Sequence, residues 1–412
     1  MFGRKGGSGQ DAFTREVAGL LAEMPVVASV ELQGDLHLFI RYSNGAEGHK
    51  FLGNLWADTR EMSPRDRADR VLRELAATRD VGGGPRDWAG AQSHILPVLR
   101  NPRLLHMPQP AVGDAARLVV PPLGAQGRAQ YVHFTASPFL LVMAVIDQER
   151  SMSYVMQHHI ADWSVTAGEL FSQSLGNLKR SGMNADVLAG GVVVRHPRNY
   201  GSSWMAVPGV FDEVAEMAGD EVVAVAPERD SAYFIKWRHV SVVHSVLGVA
   251  MNEYETNPRA ISPVFYRQDA QHRLELWTPP LDYPNRNDIL RARSVVCQAE
   301  YERQREYLEQ VAVSTGEDVF IAKVTLREMQ GGGTVTGAVW AKGVTNALLP
   351  YHVDEVHLID PDTPERVTVR WPDLEEHAQA FLRKDPGLNP PRVRISGWPG
   401  DVLSDLRERA LA

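Results

Sequence analysis

Residues 139–179 read FLLVMAVIDQERSMSYVMQHHIADWSVTAGELFSQSLGNLK. The first eight, Phe139 to Ile146, are apolar without a break. That run is far too short to span a bilayer and is bounded by the polar DQERS, so it reads as a buried strand. DQERS then supplies a turn, and SMSYVM pairs back on the first strand. Thr166, with Glu169 three residues on, is a capping box that opens the helix TAGELFSQSLGNLKRSG, closed by Ser181-Gly182. Two paired strands followed by a helix, with no steady β-α alternation elsewhere, predict an α+β fold of mixed sheets with flanking helices, not a doubly wound sheet.

The flanking sequence extends this pattern in both directions. Residues 1–10 read as a flexible tail, and 11–24 as an amphipathic helix carrying Phe13, Val17, Leu20 and Leu21. The strands VVASVEL and DLHLFIRYS follow, joined at Gly34-Asp35. Ser63-Pro64 opens another helix, with serine as cap and proline in the first turn. ILPVLR is short and apolar, and 101–130, rich in proline and glycine, reads as loop or extended chain. After residue 180 come the strands VVVRH and EVVAVA, with a helix at 211–218 between them, and a helix at 240–254. TPPLDYPNRND concentrates proline, asparagine and aspartate and reads as a linker. A charged helix over 289–313 leads to the strands VFIAKVTLRE, TVTGAVWA, EVHLID and RVTVRW and to helices at 373–383 and 401–411. Two domains are expected, 11–278 and a smaller, strand-rich α+β domain at 289–412.

Composition narrows the function classes. The chain has 412 residues, 44% hydrophobic and 23% charged, which suffices for a sizeable core. Its formal net charge of -8 argues against general nucleic-acid binding, which needs surplus Lys and Arg against phosphates. The basic, glycine-rich start MFGRKGGSGQ lacks an apolar h-region, so no signal peptide and no membrane segment are expected. A single cysteine, Cys297, cannot form an internal disulfide, which suits a reducing, cytoplasmic setting. It reads as a small buried hydrophobe on a helix, since no activating histidine is nearby.

Several short blocks, in order, resemble a bacterial family of unknown function, the YtpQ-like proteins. FLGNLW around Asn54 resembles its Asn-Leu-Tyr block, with Trp56 in the aromatic place. ILPVLRNPRLL resembles its Leu-Pro-Val-Arg block. Residues 139–179 resemble its longest block, a strand ending in Asp, a second strand and a helix ending in Asn-Leu. GDEVVAVAPERD resembles the block in which a strand leads into Pro, Arg and Asp, although Ala226 or Glu228 departs from the expected spacing. The resemblance covers residues 12–276. It implies fold and domain limits and carries no mechanism.

Three residues stand out as candidates for ligand binding: Arg229, Asp230 and Asp147. Arg229-Asp230 follows the apolar strand EVVAVA, where residues past a strand end often line a cleft. Arginine can clamp a carboxylate or phosphate through two hydrogen bonds, and aspartate can serve as a base or cation ligand. The competing reading is an aspartate that caps the next turn and an arginine that pairs locally. Asp147 likewise ends a strong strand, yet DQER also reads as a polar turn. The adjacent His158 and His159 cannot share a helix face, and His352 and His357 tend to opposite faces, so no metal site is expected. Gly331 to Gly333 lie between two strands and read as a hairpin loop, and no GxGxxG, Walker A or GxSxG pattern is present, so no cofactor is expected. Tyr200-Gly201-Ser202-Ser203-Trp204 reads as a polar turn beside aromatics. The expectation is a non-catalytic binding, regulatory or accessory protein of the immunity type, with the C-terminal domain and its helical arm facing a protein partner or a second copy. The alternative is a hydrolase or transferase acting on a phosphate- or carboxylate-bearing substrate, with Arg229 as clamp.

Overall fold

The structure is a computed structural model that describes residues 7–34, 36–43, 47–76, 87–106, 109–110, 118–119, 131–148, 152–196, 198, 200–257, 259–329, 332–363, 366–385 and 387–411. Its helices and its mixed and antiparallel sheets make an α+β fold. Among the described residues no helix is long and apolar enough to cross a membrane.

The first lobe is a helix, Gly7–Ala22, against an antiparallel three-stranded sheet of Val27–Gly34, His37–Tyr42 and Glu47–Phe51, followed by the helices Gly53–Thr59 and Pro64–Ala76. Residues 7–10, expected in a tail, form the first turn of that helix. Phe13, Val17, Leu21, Leu38, Ile40, Val71 and Leu75 close a core of their own.

The decisive stretch folds as its sequence reads. Leu140–Asp147 is a strand with every residue buried. It pairs antiparallel with Ile95–Arg100 and His133–Ser137, and its end pairs with Met152–Tyr154. The turn residues 149–151 lie outside the described residues. Thr166 caps the helix Ala167–Arg180 by accepting from Glu169 N, and Glu169 returns the bond to Thr166 N, so two orphan donors are satisfied together. A short helix, Gln157–Asp162, intervenes without a strong pattern to announce it. Leu170, Phe171 and Leu178 turn the longer helix onto the sheet.

A six-stranded antiparallel sheet follows, in the order Asn184–Leu188, Gly191–Arg195, Ser231–Lys236, Val222–Ala226, Ser262–Gln268, Leu274–Leu276. Its helices are Val210–Ala218 and Val240–Thr256. The proline-rich segment after it is packed down: Trp277 and Tyr283 are buried beside Phe265, and Tyr283 Oη donates to Trp237 O at 2.6 Å.

The charged helix runs over Arg286–Thr315. Beyond it stand two four-stranded sheets. VFIAKVTLRE divides between them: Phe320–Ile321 pairs with Ala347–Pro350, while Thr325–Glu328 pairs with Thr334–Ala341. The intervening Ala322 is held by its carbonyl to the buried Arg392, which turns the chain from one sheet to the other. The helix expected over 373–383 is shorter, Trp371–His377, and Leu382–Asp385 is a strand, because pairing with Arg392–Ile395 overrides helix propensity there. Gly332 and Gly333 lie in the hairpin loop between Thr325–Glu328 and Thr334–Ala341, as expected; Gly331 lies outside the described residues. A continuous apolar core includes residues from Ala91 to Leu406, on both sides of the segment expected as a linker.

Candidate functional site

Asp147 is the last residue of the central strand and lies on the wall of an open cleft of about 610 Å³. The helix Ala167–Arg180 contributes Gln173, Asn177 and Arg180 to this cleft. The chain after Gly191–Arg195 contributes His196 and Arg198, and the turn before Ile95 contributes His94.

Asp147 is buried, and both its oxygens are occupied. Tyr200 Oη donates to Oδ1 at 2.8 Å, and Arg198 donates to Oδ2. Burial, with the Asp147 charge adding to it, pushes the Tyr200 hydroxyl well above the ordinary phenol range, so it stays a donor. Among the described residues that line the cleft, Asp147 is the one carboxylate.

Asn177 organises the opposite side chain cluster. Its Nδ2 donates to Gln92 O and Ile95 O, both at 2.7 Å, which turns Oδ1 toward Gln173 Nε2 at 2.9 Å and toward Arg180. Arg180 has no carboxylate partner among the described residues; an amide oxygen alone holds its guanidinium.

His196 and Ser181 resemble a nucleophile pair until their protons are placed. His196 Nε2 lies 3.3 Å from Ser181 Oγ. The Arg198 backbone N–H donates to His196 Nδ1 at 3.2 Å, and Ser181 Oγ–H donates to Leu178 O at 2.6 Å. Burial foremost, helped by Arg198 and opposed by Asp147, lowers the His196 pKa and favours the neutral ring. A neutral ring that accepts at Nδ1 carries its proton on Nε2, so His196 donates to Ser181 and takes nothing from it.

Arg229 and Asp230 sit elsewhere. They occupy the turn between Val222–Ala226 and Ser231–Lys236, and Arg229 Nε donates to Asp230 Oδ1 at 3.2 Å. Neither lines the cleft. Their backbone is gripped by the segment after Tyr200: Ser202 donates to Arg229 O through N at 3.1 Å and Oγ at 3.0 Å. Residues 200–204 are therefore a buried clasp, with one end on Asp147 through Tyr200 and the other on the 229–230 turn.

The remaining candidates settle into packing. Cys297 is buried, its thiol donates to His352 O at 3.1 Å, and burial pushes its pKa up to about 12. His159 accepts from Met156 N and stacks on Trp163. His357 bonds to Arg366 and Thr368. No group of three or more histidine, cysteine or acidic residues able to hold a metal occurs among the described residues.

Asn177, Arg180, His196 and Arg198 were not singled out from sequence as site residues. Arg180 stands in a helix's last turn, where a cation ordinarily complements the dipole and signals nothing more. Asn177 did carry a signal, since it closes the longest block that resembles the YtpQ-like family.

No family model matches the chain, and no curated protein and no solved structure matches it.

Proposed function

We propose that this chain is a non-catalytic binding protein with a regulatory or accessory role, and that the cleft beside Asp147 seats its small ligand. The proton arrangement of His196 carries this reading. A serine nucleophile needs an imidazole that accepts its proton, with the other ring nitrogen donating to an orienting acceptor. Here the ring's acceptor nitrogen is filled by the Arg198 N–H, its donor nitrogen faces Ser181, and Ser181 spends its own proton on Leu178 O. Asp147, the group that would orient the ring, is committed to Tyr200 and Arg198. These groups hold and recognise; they do not activate. Membership of the YtpQ-like family over residues 12–276 and a cytoplasmic location in a bacterium belong to the same proposal, the latter resting on the lone buried cysteine.

Native mass spectrometry of the full chain, gently purified from its own host, tests it beside assays with p-nitrophenyl esters and p-nitrophenyl phosphate. The expected result is a bound small molecule or a protein partner at fixed ratio, with no turnover. Turnover that Ser181→Ala or His196→Ala abolishes would replace this reading with the hydrolase one.

A further inference from the structure

The charge balance of the cleft defines its ligand more narrowly, given the binding role proposed above. Among the described residues one carboxylate lines the cleft, Asp147, and both its oxygens are engaged, which disfavours a cation there. Arg180 is a full positive charge with no carboxylate partner among the described residues, and its place is prepared. Asn177 Oδ1 accepts from it, and Asn177 is itself fixed by two backbone carbonyls. Gly176 leaves room for the guanidinium to lie back over the helix, since a Cβ there would stand 3.3 Å from Arg180 Nη1. The sequence Leu175-Gly176-Asn177 thus cradles Arg180. Arg198 reaches the same cleft from a different element, and His94 and His196 add two imidazoles.

Two effects oppose an anion: the charge of Asp147, which its ion pair with Arg198 offsets, and the negative end of the helix Ala167–Arg180 at the cleft. Its last carbonyls are largely taken, Leu178 O by Ser181 Oγ, and Asn177 O and Lys179 O by the N–H groups of Ser181 and Gly182. A full guanidinium charge outweighs what remains of that half-charge.

We propose that the cleft between Arg180 and Arg198 binds a phosphate monoester carried on a small polar molecule. The whole guanidinium of Arg180, with the N–H groups of Arg198 that Asp147 does not take, suits the several oxygens and up to two charges of a phosphate better than the two oxygens of one carboxylate. The cleft, at about 610 Å³, has far more room than a lone phosphate fills and lies in the range of small-molecule sites. Gln92, Ser93 and Gln173 on its walls suit a hydroxylated body.

The test is ³¹P NMR with a thermal-shift titration of the full chain against ribose 5-phosphate, ribose and citrate. Ribose 5-phosphate should bind saturably, ribose should not, and Arg180→Gln should weaken the apparent Kd at least tenfold. Arg180 is exposed, so that variant should fold; Arg198→Gln supplies a second reading of the clamp. No saturable effect of ribose 5-phosphate, or equal binding by Arg180→Gln, overturns the ligand assignment. Binding of citrate in place of ribose 5-phosphate, lost in Arg180→Gln, overturns the phosphate class and supports the binding role. Growth of an inorganic phosphate signal, with binding intact, supports the ligand class and overturns the non-catalytic role.

Discussion

A single hydroxyl decides how Asp147 tolerates burial. A buried carboxylate needs its oxygens satisfied, and Tyr200 Oη is the neutral half of that support while Arg198 is the charged half. Tyr200→Phe keeps the ring against His196 and removes only the donor. Because the acceptor is a carboxylate, the loss should be about 1.5–3 kcal/mol of stability, read from urea unfolding at pH 7. A loss under about 0.5 kcal/mol would mean that water or Arg198 takes over Oδ1. Of the residues involved, Asp147 was visible from sequence because it interrupts an eight-residue apolar run. Tyr200 was visible only as part of a turn. Its pairing with a residue 53 positions earlier is a product of sheet packing, which local pattern does not encode.

Elements were legible where one physical cause dominated. The strand Leu140–Asp147 is buried on both faces, so its code is unbroken hydrophobicity, and the helix after it carries a capping box and an apolar stripe. Legibility failed where pairing partners decide the outcome. Leu382–Asp385 is an edge strand because it lies beside Arg392–Ile395, which is itself paired on its other side with Ala347–Pro350, and the VFIAKVTLRE run breaks because Arg392 pins Ala322. The clasp at 200–204 belongs to the same class: its glycine is dictated by a neighbour remote in sequence. A Cβ at Gly201 would stand 2.1 Å from Asp230 O, a backbone atom that cannot swing aside. Gly201→Ala should therefore cost about 3 kcal/mol or more, at or past the upper end for overpacking, and should loosen the 229–230 turn. Gly219→Ala is a useful comparison, strained by its positive φ but with open space around it. Equal unfolding midpoints for the two variants would refute the steric account.

At the scale of the molecule, the helix Arg286–Thr315 joins what sequence divides. Glu300 is fully buried, accepts from Asn101 Nδ2 at 3.0 Å and from Tyr254 Oη, and pairs with Arg303. The next residue, Tyr301, faces the other way, donating to Pro391 O at 2.7 Å and accepting from the N–H groups of Tyr351 and His352. Two histidines lie on the same joint. His106 Nε2 bonds to Asn389 O at 2.8 Å, and His352 meets the edge of Phe139. Each ring has its pKa lowered to about 4, chiefly by desolvation. Arg392 and Arg303 add to the effect at His106, against its bond to Asn389, and Arg293 and Lys384 add to it at His352. The unfolded chain takes a proton on each near pH 6.5, whereas the folded chain refuses it down to about 4, so unfolding takes up protons in that window. Stability carried by this joint is therefore complete above pH 6.5, falls as pH drops toward 4, and is flat in these two groups below. Scanning calorimetry should show residues 88–411 melting as one transition at pH 7, moving down in temperature between pH 6.5 and 5. His106→Gln should flatten that slope, by removing one of the two protons, without splitting the transition. A fragment of 286–411 that melts cooperatively on its own would show instead that the core shared across Ala91 to Leu406 is an interface between two independent units, and a slope unchanged in His106→Gln would place the proton uptake elsewhere.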